Sequence, residues 1–428
     1  MNKKLLRIIK CVMLFFSFFI GWNSYSQEDE PAQETNKEVA PVYEGLQLKV
    51  NDSWKIKFSG QINAYYVNTA QKEDEENGIE KENFNSIQNG INQATIAFNP
   101  VYSMKNGGTI SGTFDIAFGL TNHGVDSSEP AVTGFGYSSV DIRQAFIKVT
   151  TPKSGSFVIG KTFGGFGLDA LIYDVSILGI GANYSYDNPQ NTTLAGIGYG
   201  YIFADKIAQI NYTTPSFFNN TSNLTLGVYE PFATSDFNGA FGDAFGVTDN
   251  PNGLGYQGKF VFNKTYEKSN VYFSSSFISQ EVSDNNQDLG LNGFGIDAFL
   301  KVGFGGLTLS GYYYTADGIG DAGIMFGPAI TVNSVVETVK SDGYYGQITY
   351  KLPKNPITLG INYGASRVKD NIINNRLEYS DSATRFTNSI SYAINSNLVA
   401  KSEYTIQGRH KIFAPEANVF SLGGFFLF

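Results

Sequence analysis

Apolar and polar residues alternate along most of the chain. From Trp54 onward, runs of about ten residues have an apolar side chain at every second position, and a turn separates each run from the next. Clear examples lie at 110–120, 294–300, 357–363 and 398–406. A period of two places the apolar side chains on one face of a β-strand and the polar side chains on the other. The pattern therefore predicts an all-β chain of half-buried strands.

The connections between these runs are alternately short and long. Short turns are predicted near 106–108, 152–154, 305–306, 353–356 and 395–397. Long polar loops are predicted near 70–84, 121–137, 233–252, 317–341 and 370–382. Transmembrane barrels have short periplasmic turns and longer external loops. The alternation therefore predicts a transmembrane antiparallel β-barrel with both chain ends on the periplasmic side, which requires an even number of strands.

The predicted number of strands depends on residues 162–205. If this stretch is a single loop, the runs give about 16 strands. If residues 179–186 and 192–202 form an additional hairpin, the count is about 18. We expect the 16-stranded barrel and keep 18 strands as the alternative.

The first 26 residues have the features of a cleavable secretory signal peptide. Four basic residues precede an apolar run from Cys11 to Ile20, and small residues lead up to Ser26. The run is too short to span a bilayer, so we expect export and cleavage before Gln27. Residues 27–51 are acidic and contain proline, which predicts a flexible periplasmic lead-in. The barrel is expected to occupy residues 52–428.

Composition and charge argue against several functions. The leader holds four of the 30 basic residues and none of the 39 acidic ones, which leaves a formal net charge of about −13. This charge is opposite to the basic footprint of nucleic-acid-binding proteins. Cys11, the single cysteine, lies in the leader, and His123 and His410 fall far apart in predicted loops. We therefore expect no catalytic site, no metal site and no cofactor.

One region resembles the general trimeric porins of Gram-negative outer membranes. The resemblance rests on Arg143-Gln144-Ala145-Phe146, on Gly155-Ser156-Phe157-Val158-Ile159-Gly160-Lys161 and on the stretch from there to Phe217, and it covers roughly residues 141–232. It implies a homotrimer whose third loop, about 162–205, folds into the lumen. The strings Gly-Lys-Thr-Phe and Ala-Gln-Ile-Asn-Tyr-Thr are similar to branches of the family that take up dicarboxylates or aromatic acids.

The alternation also predicts which charged side chains line the lumen. A charge that faces hydrocarbon near the bilayer midplane costs about 2–4 kcal/mol, so inward placement is favoured. If Ile142 and Phe146 face lipid, then Arg143 and Ala145 face the lumen. The same parity predicts these inward wall charges: Asp115, Lys259, Asp297, Lys301, Arg385, Lys401, Glu403 and Arg409.

Four charged residues are candidates for the pore constriction. Arg143 lies on the predicted wall and Lys161 at the foot of the loop, whereas Asp169 and Asp174 lie on the loop itself. The loop lacks the acidic Pro-Glu-Phe-Gly-Gly-like string of the resembled family. Basic groups facing acidic ones across water would create a transverse field that orients dipolar solutes. The alternative is that these are solvated charges without individual roles.

The last eight residues have the pattern of a closing barrel strand. Ser421, Gly423, Phe426 and Phe428 fit the pattern polar-x-Gly-x-x-aromatic-x-aromatic, which resembles the signal read by the barrel-assembly machinery. We expect this strand to pair beside the one that begins at Trp54, in contact with outer-membrane lipid and lipopolysaccharide. The predicted function is passive diffusion of small hydrophilic solutes or ions. The alternative is a surface-binding or structural barrel with a blocked lumen.

Overall fold

The computed structural model describes most of the chain after residue 44. It covers residues 45–428 apart from 76–78, 120–139, 184–191, 204, 232–252, 285–286, 321–328, 333–334, 369–381 and 410–414. The predicted signal peptide, most of the predicted lead-in, His123 and His410 lie outside the described residues.

The described chain is almost entirely β-structure. One short helix, α1 (Leu168–Ile172), lies between two of the strands. The first ten strands are β1 (Leu46–Lys49), β2 (Trp54–Gln71), β3 (Asn83–Gln88), β4 (Ala94–Ser103), β5 (Thr109–Phe118), β6 (Val140–Thr151), β7 (Gly155–Phe163), β8 (Lys206–Thr213), β9 (Ser222–Tyr229) and β10 (Gly255–Thr265). The remaining strands are β11 (Ser269–Asp284), β12 (Gln287–Phe304), β13 (Leu307–Asp317), β14 (Ala329–Val332), β15 (Val335–Thr338), β16 (Lys340–Lys351), β17 (Ile357–Val368), β18 (Ala383–Ala393), β19 (Leu398–Gln407) and β20 (Ala417–Leu427).

Sixteen antiparallel strands form one closed barrel, as the preferred sequence count predicted. β3 and β4 both pair with β2 and act as the two halves of one barrel strand. β14 and β15 form a separate two-stranded sheet in a long connection. β7 pairs directly with β8, so the alternative with an additional hairpin between them is wrong.

The barrel closes where β20 pairs with β2. Leu427 lies opposite Gln61, and Phe428 exchanges two backbone hydrogen bonds with Gly60, of 2.8 and 3.1 Å. β1 pairs with the part of β2 that lies beyond the end of β20. Residues 46–49 therefore form a short strand, although the sequence predicted a flexible lead-in as far as residue 51.

The outer face of the barrel is apolar and the inner face is polar. On β12, Phe294 and Ile296 are 48% and 44% exposed on the outer face, whereas Asp297 on the inner face is 7% exposed. A soluble protein has the opposite arrangement, and transmembrane barrels have this one. No helix within the described residues is both long and apolar enough to cross a bilayer.

The five predicted short turns all lie at one end of the barrel. They connect β4 to β5, β6 to β7, β12 to β13, β16 to β17 and β18 to β19. The long predicted connections follow β2, β5, β9, β13 and β17, at the other end. This arrangement is the one in which the short turns are periplasmic and the long loops external.

A polar segment, Asn89–Gln93, interrupts the second barrel strand and packs inward. The Gly90 amide donates to Asn63 Oδ1 at 2.9 Å. The Asn89 side chain donates to the backbone carbonyl of Asn63 at 3.0 Å. The Ile91 amide donates to the Gly179 carbonyl at 3.1 Å. The sequence analysis did not predict this interruption, because a polar stretch of this length has the composition of an ordinary turn.

A β-bulge at Arg143 changes the predicted parity of β6. Asp115 pairs with Gln144 and Ile116 pairs with Ile142, so Arg143 is the additional residue. Beyond the bulge, Ala145 lies opposite Phe114, whose side chain is exposed on the outer face. The prediction that Ala145 faces the lumen and Phe146 faces lipid is therefore wrong, because a bulge shifts the alternation by one residue.

We expect deletion of Phe428 to reduce barrel assembly. The deletion removes the residue whose backbone joins β20 to Gly60, and each net backbone hydrogen bond contributes about 1 kcal/mol. The measurement is the heat-modifiable, folded fraction in purified outer membranes. The Phe428→Tyr variant, which keeps both the backbone bonds and an aromatic ring, serves as the control. Equal folded fractions for the deletion and the control would contradict this expectation.

Candidate pore constriction

The described parts of the connection between β7 and β8, residues 164–183 and 192–203, run inside the barrel. We call these residues the infolded segment. Many of its apolar side chains are almost fully buried, among them Phe166, Ala170, Leu171, Ile180, Leu194, Ile197, Tyr199 and Tyr201. Aromatic side chains from the wall, such as Tyr312 and Tyr345, pack against them. The segment therefore folds inward because it has an apolar core to bury, which a solvated external loop lacks.

The α1 turn of the infolded segment is held by two carboxylates. The Gly167 amide donates to Asp297 Oδ2 at 2.7 Å, and Gly167 has a φ of 68°, which favours glycine. On the helix itself, Asp169 Oδ1 lies 2.8 Å from Lys259 Nζ. Asp169 Oδ2 accepts hydrogen bonds from Tyr272 and Ser274 on β11. This turn is consequently fixed against the wall from β10 to β12.

Asp174 and Arg385 form a fully buried ion pair. Their closest atoms lie 2.9 Å apart, and both side chains are 0% exposed. Arg385 also donates to Asn362 Oδ1 at 2.8 Å. The Tyr201 hydroxyl donates to Asp174 Oδ2 at 2.9 Å, and burial raises the pKa of this hydroxyl well above its ordinary value, which keeps it a donor.

Glu403 binds the backbone of the infolded segment directly. Its Oε2 accepts hydrogen bonds from the amides of Ile180 and Gly181, at 2.7 and 2.9 Å. A Cβ atom on Gly179 would lie within 2.6 Å of the carboxylate, so this glycine permits the close approach. Lys401 Nζ lies 3.3 Å from Glu403 Oε1 and donates to the Val175 carbonyl at 2.7 Å. The backbone at Gly179 is thus packed tightly against the wall.

Most of the predicted lumen charges contact the infolded segment. Lys301 Nζ lies 3.8 Å from the ring centre of Tyr173, a cation–π distance. Asp297, Lys259, Arg385, Lys401 and Glu403 also face inward, as the parity predicted. Asp169 and Asp174, however, meet Lys259 and Arg385 in direct contact and are not separated from them by water. Alternation predicts which face of the barrel wall a charged side chain lies on. The distance from that side chain to a charge on the infolded segment depends on the path of the segment.

The inward side chains of β5, β6 and β7 bond mainly to one another. Gln144 donates to Asp115 Oδ2 at 3.0 Å, and the Thr162 hydroxyl donates to Gln144 Oε1 at 2.8 Å. The Thr113 hydroxyl donates to Asn99 Oδ1 at 2.8 Å. This part of the wall therefore presents several bonded polar groups to the lumen, Asp115 among them.

A small cavity beside Arg143 lies between the infolded segment and residues of β6, β7 and β8. Arg143 is 5% exposed, and one of its terminal nitrogens donates to Gln93 Oε1 at 2.7 Å. Its Nε lies 3.6 Å from Asp141 Oδ2. The cavity is lined by Ile91, Asn92, Arg143, Phe163, Leu171, Thr192, Thr193, Ile197, Phe203 and Lys206. Arg143, one of the four predicted constriction residues, thus lines this small cavity.

Lys206 is a second basic group at this cavity, and the sequence analysis did not single it out. Its Nζ lies 3.1 Å from Asp205 and about 5 Å from the ring centres of Phe163 and Phe203. Its position as the first residue of the strand after the inward loop was the available signal. Parity alone would not have found it, because alternation is unreliable at the end of a strand.

Two predicted site residues lie away from the lumen wall. Lys161 pairs with Ala145 and Ala208, and Ala208 is exposed on the outer face, so Lys161 also faces outward. The prediction of a constriction role for Lys161 is therefore not met. Arg409 lies beyond the end of β19, where it forms a 2.6 Å ion pair with Asp74 in the connection after β2.

Within the described residues, no group of three or more His, Cys, Asp and Glu side chains is arranged to hold a metal ion. The clustered carboxylates of the lumen are bonded to lysine, arginine, hydroxyl and backbone donors. The chemistry that these groups support is therefore binding and electrostatic positioning.

The fold is similar to that of outer-membrane channels of known structure. The outer membrane channel DcaP of Acinetobacter baumannii aligns with a TM-score of 0.61 and 11% identity over 89% of this chain and 99% of that chain. An anion-selective porin from Comamonas acidovorans aligns with a TM-score of 0.56 and 11% identity, over 88% of this chain and 100% of that chain. The trimer form of OmpT, an outer membrane protein of Vibrio cholerae, aligns with a TM-score of 0.50 and 13% identity, over 88% of this chain and 100% of that chain. No protein-family model and no curated protein matches the sequence.

We expect Arg385→Met to destabilise the barrel by about 3–5 kcal/mol, because it leaves the buried Asp174 carboxylate without its cation. Urea unfolding in detergent measures this loss, and chymotrypsin cleavage reports release of the infolded segment. The Arg385→Met/Asp174→Asn double variant should recover most of the stability, because no unpaired charge remains.

The exposed pair Lys49–Asp52 provides a matched control for this prediction. Lys49→Met should leave the unfolding midpoint unchanged, because a solvated ion pair contributes little. Wild-type stability in the Arg385→Met single variant would show that the buried pair does not hold the infolded segment.

Proposed function

We propose that this protein is a porin of the Gram-negative outer membrane through which small hydrophilic solutes or ions diffuse passively. The observation that carries the proposal is a closed 16-stranded barrel with an apolar outer face and a polar, charged inner face. An outer membrane channel and an anion-selective porin have similar folds. Diffusion of this kind needs no enzymatic chemistry and no cofactor.

We place the diffusion path between the infolded segment and the wall formed by β5 to β8. Two observations support this path. Inward polar side chains of β5 bond to Asn99 on β4 and to Gln144 on β6, so their surface faces the lumen. Arg143 and Lys206 stand at the cavity beside that wall. In this proposal the infolded segment is the constriction, and the pairs that fix Asp169 and Asp174 keep it in place.

In more specific form, the proposal is that the solutes are carboxylates. Two cations, Arg143 and Lys206, would attract a carboxylate, and the rings of Phe163 and Phe203 would accept an apolar or aromatic body. The resemblance of this region to the branch that takes up dicarboxylates or aromatic acids points the same way. Asp141 and Asp205 partly balance the two cations, so selectivity is expected to be weak.

A barrel with a blocked lumen is the second candidate. The extensive bonding between the infolded segment and the wall favours it, because that bonding leaves little space through most of the cross-section. In that case the external loops would carry a surface-binding or structural role.

We also propose export through a cleaved signal peptide, insertion by the barrel-assembly machinery and assembly as a homotrimer in contact with lipopolysaccharide. The trimer is supported by the similar fold of a protein whose trimer form has been solved. Ser421, Gly423, Phe426 and Phe428 are the proposed assembly signal. Ser421 and Gly423 lie on the inward parity of β20, and Phe426 is exposed on the outer face.

We expect purified protein to form steady conductance steps in a planar lipid bilayer, grouped in threes if each trimer inserts as a unit. A diffusion channel with a fixed constriction stays open without an energy source. Folded protein that inserts into the bilayer but stays electrically silent would reject the porin and support the blocked barrel.

We expect Arg143→Ala to shift the reversal potential in a salt gradient toward cation preference, because it removes a positive charge from the proposed path. Lys264→Ala is the matched control. Its side chain lies at the periplasmic end of β10, over the ring of Tyr266, so its reversal potential should match that of the wild type. An unchanged reversal potential for Arg143→Ala would remove Arg143 from the path.

A further inference from the structure

Three lysines lie on the lumen face of the barrel near its periplasmic end, and we call Lys55, Lys57 and Lys148 the lysine patch. Lys55 and Lys57 have the same parity on β2 as Gln61 and Asn63, which face inward and are 7% and 4% exposed. A row of cross-strand pairs crosses the wall from β2 to β6 through Lys55, Val101, Ser111 and Lys148. The two ends of this row are three strand spacings apart, which is about 14 Å.

The β-bulge at Arg143 is the reason that Lys148 faces the lumen. Lys148 pairs with the inward-facing Ser111, and its neighbour Ile147 is 52% exposed on the outer face. Without the bulge, Lys148 would lie on the outer face, because it would share the parity of Ile142. The bulge therefore exchanges a charge that would face lipid for a charge that faces water.

The lysine patch lies between the infolded segment and the periplasmic opening. On β2 the infolded segment is bound by Tyr65, whose hydroxyl donates to the Leu178 carbonyl. Lys57 precedes Tyr65 by eight residues, which on a strand tilted by about 45° is about 19 Å toward the periplasmic end. On β6, Lys148 follows Arg143 by five residues, which is about 12 Å in the same direction. A solute that has passed the cavity beside Arg143 therefore meets the patch before it reaches the periplasm.

The charges of the lysine patch are not balanced by nearby acidic groups. Other lumen cations are paired with carboxylates, as in the pairs Lys259–Asp169, Arg385–Asp174 and Lys401–Glu403. Within the described part of the chain, Lys55, Lys57 and Lys148 form no ion pair. The strands of this wall, β2, β4, β5 and β6, contain two acidic residues, Asp115 and Asp141, and both lie nearer the external end. Lys148 is exposed and the other two lysines are half-buried, so the patch presents a net positive charge to the lumen.

We propose that the lysine patch is a binding site for small anions on the periplasmic side of the constriction. This inference rests on the proposed porin function, and it adds a site separate from the cavity beside Arg143. Walls of low dielectric concentrate the field of charges of one sign, which raises the local concentration of counter-ions. Clustered lysine and arginine side chains favour anions in pores for the same reason. The patch thus extends the region that attracts anions from the constriction to the periplasmic opening.

The triple variant Lys55→Gln/Lys57→Gln/Lys148→Gln tests the patch in planar lipid bilayers. The reversal potential in a potassium chloride gradient gives the ratio of anion to cation permeability. We expect this ratio to fall by roughly threefold to tenfold at low salt, near the lower limit of the effect of clefts lined with one sign of charge. The difference from the wild type should shrink at high salt, because the screening length falls from about 10 Å at 0.1 M to about 3 Å at 1 M.

The matched control removes three charges from the same end of the barrel. Lys105→Gln/Lys153→Gln/Lys268→Gln changes exposed lysines in the periplasmic turns, which lie outside the lumen wall. Its permeability ratio should match that of the wild type. Equal falls in the two triple variants, or no fall in the patch variant, would overturn the proposal.

Chemical modification after folding separates the charge from any effect of substitution on assembly. In the Lys148→Cys variant, the thiol at position 148 is the only one after Cys11, which lies in the predicted leader. A thiol reagent that attaches an ammonium group should restore the anion preference, whereas one that attaches a sulfonate should lower it further. The same permeability ratio after both modifications would show that position 148 does not face the path and would reject the patch.

The conductance of the wild type separates the two possible failures. A folded, inserted wild type that stays silent would reject the porin function, and the patch with it. A conducting wild type whose selectivity does not change in the patch variant would reject the patch alone. In that case a shift for Arg143→Ala would still support the proposed path beside the infolded segment.

Discussion

An unpaired backbone amide or carbonyl in hydrocarbon costs several kcal/mol, and the rest of this structure follows from avoiding that cost. The pairing of β20 with β2 satisfies the last free strand edges. Closure then separates the side chains into two sets, since alternate residues must face lipid or lumen. The charged residues of the strands accumulate in the lumen, and any chain that enters the lumen must meet those charges with donors and acceptors of its own.

The infolded segment meets that requirement residue by residue. Its carboxylates face Lys259 and Arg385, and its amides face Glu403 and Asp297. Buried ion pairs contribute less to stability than their short distances suggest, because both ions lose their hydration. Here the ion pairs select one position of the infolded segment inside the barrel, since a shift of the segment would leave several buried charges unpaired at once. The same pairing removes the widely separated charges that a strong transverse field would need.

The strands, the closure and the turn alternation could be predicted from the sequence, because each depends on local periodicity. The inward orientation of Asp297, Arg385 and Glu403 followed from the same rule. The rule failed at Ala145 and Phe146, because parity was counted through the bulge at Arg143. Lys161 was assigned to the constriction from its position at the foot of the loop, and it faces outward. The inward turn at Asn89–Gln93 and the contacts of Asp169 and Asp174 could not be predicted. Each depends on residues more than 25 positions away in the chain.

The bonds between Gly60 and Phe428 have a consequence for biogenesis. The two residues that seal the barrel are separated by almost all of the strands, so the seam forms only after the strands between them are in place. Until β20 pairs with it, β2 has one open edge. An exposed strand edge invites pairing with other chains. The chain is consequently exposed to mispairing with other chains until β20 closes the barrel.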